Sequence, residues 1–437
     1  MSSGFDDFLN DLRGELERCV AAEEAATARQ APARVPPWRS RTVLVWATAL
    51  LVVAAVAVGA VETQSANRPP ATNGLLPIPD ASGSAAFVLP PPPVPVTSPT
   101  SSAQPALAGY SLSAVAAHTA TDAWAVGNRI DTTDGVQRGV ALHSLVMHWD
   151  GAVWREVPTP DIGPLTAVAV AGDGQAWAID PYAGEALHWD GSVWAAIAND
   201  LPAYGELTAI TATAPNDVWA VGRAPDGSAG PLVLHWNGLT WRAADTSQAA
   251  AGPGVVLRSV SGSSPTDVWA VGSAADGHDL VLHWNGSVWA SVTATPSGSD
   301  DASSGPSAVT ATAANDVWIS TGQSVQHWDG AHWRTVPTPF AAPSAATMSA
   351  VSSSDVWLCA RGLDGLANWD GSTWRRFGAD EMGLTAQDII LGVAARATDD
   401  VWAVGTATPT DGGPVVPLVL HWNGESWRIV VHAVKAL

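Results

Sequence analysis

Lysine is all but missing from this chain: Lys435 is the one lysine in 437 residues, and the other 19 basic residues are arginines. Against these 20 basic groups stand 41 acidic ones, a formal charge of −21. No basic stripe exists to neutralise phosphates, which excludes nucleic acid as a partner. Two cysteines, Cys19 and Cys359, exclude a disulfide framework and a four-thiolate zinc site. Charged residues amount to only 14%, so the acidity is not that of a solvated tail. Nucleophile elbow, Walker loop and HExxH helix are all absent from the sequence. Tyrosine (3) and phenylalanine (5) are scarce while tryptophan reaches 23, a skew that points to one position copied many times.

What is present begins with an apolar run. Residues 42–61 read TVLVWATALLVVAAVAVGAV without a charge. As a helix, twenty residues span about 30 Å, the hydrocarbon thickness of a bilayer. Arg29, Arg34, Arg39 and Arg41 precede the run, and the next basic residue after it is Arg68. That bias predicts a single transmembrane helix with the N-terminus in the cytoplasm and the rest of the chain outside it. A cleaved signal ending at Val58-Gly59-Ala60 is the rival reading. It fits less well, because the leading segment is 41 residues long and holds seven acids.

Residues 1–41 form the expected cytoplasmic segment. Phe5, Phe8, Leu9, Leu12, Leu16 and Val20 share one face of a short amphipathic helix. Residues 5–20 would suit a cytoplasmic partner or the inner leaflet, or serve only as a lead-in to the anchor. Residues 62–109 contain 11 prolines, including Pro90 to Pro93, and read as an extended Pro/Ser-rich spacer.

From residue 110 to 437 the chain is periodic. A unit contains a short strand such as Leu112 to Val115, then Asp-Val-Trp-Ala-Val-Gly, then Leu-Val-Leu-His-Trp, then Asn-Gly or Asp-Gly and a last strand with its own Trp. The first Trp is Trp124, Trp177, Trp219, Trp269, Trp318, Trp357 and Trp402, recurring about every 46 residues, the length of a four-stranded propeller blade. The second is Trp149, Trp189, Trp236, Trp284, Trp328, Trp369 and Trp422; the third is Trp154, Trp194, Trp241, Trp289, Trp333, Trp374 and Trp427. Between second and third every copy reads Trp-[Asn/Asp]-Gly-x-x-Trp. Asn-Gly or Asp-Gly at the centre of a type I′ turn predicts a tight hairpin. The pattern predicts an all-β fold: a seven-bladed β-propeller of four-stranded antiparallel blades, its tryptophans forming the layers between blades.

The unit resembles β-propeller repeats of the WD, kelch and Asp-box types. It is most similar to the Asp-Val-Trp-Ala-Val-Gly … His-Trp-Asn-Gly-x-x-Trp repeat of secreted and membrane-anchored proteins from high-GC actinobacteria. The resemblance covers residues 112–430 and implies a fold; propellers host many activities. The unit lacks the paired glycines of true kelch repeats. Tyr110, Tyr182 and Tyr204 are too few and too scattered for a galactose-oxidase-like copper centre.

His148, His188, His235, His283, His327 and His421 precede the second Trp, and Asn368 takes that place in the sixth copy. Spread around a ring they cannot converge on a metal, and they read as hydrogen-bonded spacers between blades. Asp122, Asp217, Asp267, Asp316, Asp355 and Asp400 precede the first Trp, with Gln175 in the second copy. The resemblance to WD repeats implies an Asp, His and Trp hydrogen-bond network as one reading; but His188 lacks an aligned Asp and Asp355 lacks a His, so the two are not strictly coupled and a turn-capping role alone explains the Asp. Cys359 reads as a buried, inert thiol.

No catalytic set, metal site or cofactor site is predicted. Asp131 with Asp134-Gly135, and Asp276-Gly277-His278-Asp279, lack the spacing of a Ca²⁺ loop and read as turns. Insertions collect on one face of the expected disc: 128–144 and 406–417 within copies, and 244–256, 293–306 and 378–388 between copies. Insertions on one face of a repeat fold mark a binding surface. That face gathers Asp131, Asp134, Asp226, Asp276, Asp279, Asp300, Asp301, Asp380, Glu381, Asp388 and Asp411, with Arg129, Arg138 and Arg223 as counter-charges. The expected partner is a protein or cell-envelope ligand, cationic or neutral. Alternatives are a glycan hydrolase or lyase, drawing on Asp180, Glu185, Glu206, Asp300, Asp301 or Glu381, and a sensor that signals through the span.

Overall fold

A computed structural model describes residues 107–431 except 133–139, 182–184, 198–204, 226–229, 250, 294–304, 322–323, 341–345, 361–364 and 410–412. The chain divides into two units, 1–84 and 85–437, and every described residue lies in the second. The helix expected at 5–20, the apolar run 42–61 and the spacer up to 106 lie outside the described residues. Among the described residues no helix is long and apolar enough to cross a membrane.

Each repeat folds as an antiparallel meander. In the first, Leu107–Thr119 (β1), Asp122–Thr132 (β2), Val140–Trp149 (β3) and Trp154–Glu156 (β4) are hydrogen-bonded in that order, and later repeats follow the same order. The sheets of the third and fourth repeats merge through one pair, Arg223 with Val256. Strands of the Asp-Val-Trp-Ala-Val-Gly type are buried along their length; all seven residues of Asp267–Ser273 are. Both faces of such a strand lie against neighbouring sheets, which is why its apolar residues do not alternate with polar ones. The first strands, rich in Ala, Ser and Thr, pack on one another from repeat to repeat, and β1 packs on Ile389–Ala397 of the seventh.

Tryptophans link the sheets in one repeating pattern. Trp124 lies against Trp189 and Trp194 of the following repeat, Trp177 against Trp236 and Trp241, and Trp219 against Trp284 and Trp289. Trp269 meets Trp328 and Trp333, and Trp357 meets Trp422 and Trp427. Trp402, in the seventh repeat, meets Trp149 and Trp154 of the first. One core cluster accordingly joins Leu112, Leu145 and Trp154 to Trp402, Val404 and Val419. A parallel bridge from Gly109 to Val415 and the Tyr110 N–H donating to the Val415 carbonyl at 2.9 Å reinforce the seam. The closing strand Trp427–Val431 belongs wholly to the seventh repeat. No strand is exchanged between the first and last repeats among the described residues.

The glycine that closes the Asp-Val-Trp-Ala-Val-Gly motif within the second strand has a steric reason. A Cβ on Gly127, Gly222, Gly272 or Gly405 would lie within about 2 Å of a first-strand carbonyl oxygen, that of Ser111, Glu206, Val256 or Ile389. In each of these repeats the first strand carries a β-bulge at that level, and a bulge brings the backbones together. Asp180, Thr321 and Ala360 occupy the glycine position in the second, fifth and sixth repeats; Ala360 pairs with Ala346 without a bulge, and in the other two the first-strand pairing stops one residue earlier, at Ile179 and Ser320.

Candidate binding face

The meander places the turns between strands one and two, and between three and four, at the same end of every repeat. The two turns pack together: a Cβ on Gly151 would meet Thr121, on Gly238 Asn216, on Gly286 Thr266 and on Gly424 Asp399. The Trp149 indole donates to the Ala120 carbonyl at 3.0 Å, and Trp284 to Pro265 at 3.1 Å. This face repeats with little variation.

Its hairpin tips differ from the type I′ expectation. Trp149 pairs with Trp154 and the Asp150 N–H donates to the Val153 carbonyl at 3.3 Å, so Gly151 and Ala152 are the central residues. Gly151 carries the positive φ of 89°. Asp150 stands before the turn, where its carboxylate accepts the Ala152 and Val153 N–H groups. Asn237, Asn285 and Asn423 accept the same two amides. Asn and Asp are selected as acceptors rather than for a left-handed backbone. Backbone amide bonds hold the Asp190 and Asp370 carboxyls down to about 2.

The Asp and His positions are paired, more generally than the two sequence exceptions suggest. The imidazole Nε2 bonds the carboxylate in His148–Asp122, His283–Asp267, His327–Asp316 and His421–Asp400 at 2.8 Å, and in His235–Asp217 at 2.6 Å. Where the Asp is absent, the Gln175 carbonyl bonds His188 at 2.5 Å. Where the His is absent, the Asn368 amide donates to Asp355 at 2.7 Å. His148, His188, His235, His283 and His327 each stack on the first Trp of their own repeat at 4.0–4.1 Å, and His188 also meets Trp236 of the next repeat at 6.3 Å. The indole N–H of Trp269 and of Trp318 donates to Asp267 and Asp316 at 3.0 Å. No group of three metal-ligating side chains occurs among the described residues.

The opposite face carries the variable connections. The expected insertion 128–144 is largely strand, since β2 runs to Thr132 and β3 starts at Val140. Here the structure brings together His143, Ser144, Asp161 and Glu156, which the sequence did not single out, and Arg129, which it did. The His143 Nδ1 lies 2.5 Å from Asp161 Oδ2, the Ser144 N–H donates to Asp161 Oδ1 at 3.0 Å, and Arg129 pairs with Glu156 at 3.1 Å. Burial opposes the charge on Asp161, but His143 and the Ser144 amide outweigh it and hold the carboxyl below its ordinary range. The available signal was that Arg129 and His143 fall opposite each other once the hairpin is extended.

The acidic residues expected on this face do not form one cluster in the described part. Asp276 is exposed and accepts the His278 N–H at 3.1 Å; Asp279 starts the strand Asp279–Trp284. Asp380 and Glu381 lie on the one-turn helix Ala379–Met382 (α1), where Glu381 is engaged by Arg375 at 2.5 Å. Asp388 is a correction: it is buried and latches two strand ends by accepting the Thr385 N–H at 2.8 Å and the Thr408 N–H at 3.0 Å. Asp134, Asp226, Asp300, Asp301 and Asp411, and the side chain of Asp131, lie outside the described residues. Of the carboxylates considered for catalysis, Asp180 is buried while Glu185 and Glu206 are exposed.

No protein-family model matches the chain, and a comparison with curated proteins found no match. Solved structures do match. A catalytically inactive virginiamycin B lyase from Staphylococcus aureus with quinupristin is 11% identical, with 68% of this chain and 92% of that chain covered and a TM-score of 0.52. YCF48 from Cyanidioschyzon merolae is 18% identical over 72% of this chain and 96% of that one, TM-score 0.47. A fucose-specific lectin from Aleuria aurantia is 12% identical over 75% and 97%, TM-score 0.40. At such identities the likeness is one of fold: this is an all-β repeat protein of propeller architecture.

Proposed function

We propose that the chain is a membrane-anchored, seven-bladed β-propeller that acts as a binding module for a protein or cell-envelope ligand. Residues 42–61 would form the single span, with 1–41 in the cytoplasm, 62–109 as a spacer and the propeller outside the membrane. The observation that carries the reading is the difference between the two faces. Among the described residues, one is built from matched turns packed on each other, and the other carries connections that differ from repeat to repeat, such as 157–166 and 378–388. A scaffold that holds one face constant and varies the other suits recognition. The excess of carboxylates assigns a cationic or neutral ligand, bound more weakly as salt rises.

The test uses the full chain in intact cells. Added protease should remove the propeller and spare an N-terminal tag. Deleting 131–138 together with 297–305 should abolish partner binding and leave the fold intact. Binding that survives this deletion, but is lost on changing the constant face, contradicts the assignment.

One observation favours a lyase or hydrolase as the second reading: Asp161 orients the His143 ring on the variable face at 2.5 Å, as a general base requires. A turnover that disappears in His143→Ala, with binding retained, would select it.

A further inference from the structure

The sixth repeat breaks the polar network at two points, and the breaks meet on one carboxylate. In the third, fourth, fifth and seventh repeats the Asp before the first Trp receives a His on Oδ1. Its Oδ2 receives the side chain four residues earlier: Thr213, Ser263, Thr312 or Arg396. That donor sits in each case on the first-strand bulge next to the turn. The sixth repeat keeps the bulge, between Ala350 and Ser352, but the bulged residue is Val351, and Asn368 stands in place of the His. Asp355 is 7% exposed, its Oδ1 accepts only the neutral Asn368 amide at 2.7 Å, and its Oδ2 has no hydrogen-bond partner.

The charged groups on the packed elements are engaged elsewhere. Arg375, cross-strand from Asn368, turns to Glu381. Asp370, in the adjoining turn, is taken by the Ser372 and Thr373 amides. Arg396 of the next repeat is held by Asp400. Burial therefore pushes the Asp355 carboxyl above its ordinary value of 3.8, the Asn368 amide and then the Trp357 indole opposing this in part. Asp217, Asp267 and Asp400 are buried too and Asp316 half-buried, but their His partners and hydroxyl or guanidinium donors hold them below it.

We propose that the sixth repeat is an acid-tightened element, in which proton uptake by Asp355 closes this repeat more firmly as the surroundings acidify. A buried carboxylate with no charged partner and one oxygen unbonded costs more ionised than neutral. The folded carboxyl binds its proton at higher pH than the unfolded one. The repeat therefore gains stability as pH falls through the raised folded value, a gain complete once pH is below 3.8. The third, fourth, fifth and seventh repeats have the opposite sign at this position.

The test is hydrogen exchange of the full chain from pH 7 down to 3.8, corrected for intrinsic rates. The protection of 355–369 is divided by that of 267–284. The ratio should rise as pH falls, by up to about tenfold per pH unit within the titrating range. Asp355→Asn should flatten it, and Val351→Thr with Asn368→His should reverse it. A flat or falling ratio in the unaltered chain, or an equal rise in Asp355→Asn, overturns the proposal. Carboxyl NMR of the unaltered chain checks it without any substitution: a midpoint for Asp355 at or below 3.8 also overturns it.

Discussion

Trp402 of the seventh repeat stands edge-on to Trp154 of the first, ring centroids 5.2 Å apart and planes at 80°. The same relation holds inside the chain, for Trp124 with Trp194 at 5.2 Å and 83°. The seam between the two ends of the periodic region is thus built like the seams between consecutive repeats. Edge-to-face aromatic pairs add about 0.5–1.5 kcal/mol beyond burial, and a fully buried Trp contributes several times that.

Trp402→Ala should therefore destabilise the protein by about 3–5 kcal/mol, the cost of a large-to-small change in a packed core. Denaturant unfolding measures it, and Trp124→Ala should cost a comparable amount. A loss below about 1 kcal/mol for Trp402→Ala alone would mean that the seam carries no load.

Gly272→Ala tests the bulge rule. The added methyl would lie 2.0 Å from the Val256 carbonyl oxygen, so the strand must shift, at a cost of about 3 kcal/mol. Ala360→Gly, at the position with no bulge, should cost only about 1 kcal/mol, the backbone-entropy penalty of glycine. Urea midpoints at constant slope separate the two.

His188 sits against Gln175 instead of a carboxylate. Burial lowers its pKa from 6.5, with Asp190 and Asp173 pulling weakly the other way. The unfolded His binds its proton first as pH falls, so the stability this site contributes is full above 6.5 and is lost as pH drops through the window below it. Gln175→Asp should raise the His188 midpoint by charge attraction, as read by NMR of the ring protons. A midpoint unchanged by that substitution would contradict the bonded pair.

The hairpin carboxylates act in the same sense in a more acidic window. Asp370 titrates at about 2 because backbone amides bond its charged form. Its contribution is complete above 3.8 and is lost as pH falls toward 2. Asp370→Asn should keep the turn and remove that acid dependence, since Asn237 holds the same two amides. Acid titration of unfolding midpoints checks it, and an unaltered acid slope would count against the turn geometry.

The repeat was legible because its signals are local. The Trp spacing and the seven Asn-Gly or Asp-Gly pairs place the strands and put like turns at one end. The Asp–His coupling was hidden because its two exceptions are chemical substitutes: Gln175 replaces the acceptor and Asn368 the donor, so neither looks like a kept bond in a sequence. The turn type was misread because Asp-Gly serves two geometries, and only the pairing of Trp149 with Trp154 shows Asp150 outside the centre. The His143–Asp161 contact depends on a connection between repeats folding back, which no periodicity encodes.

The functional claim rests on which face meets a partner, and site-specific photocrosslinking in intact cells tests it most directly. A photoreactive side chain at Asp276, exposed on the variable face, is compared with one at Leu239, 82% exposed on a constant-face turn. The account predicts a discrete, salt-sensitive adduct from position 276 and none from position 239. An adduct formed from position 239 and not from 276 would contradict it.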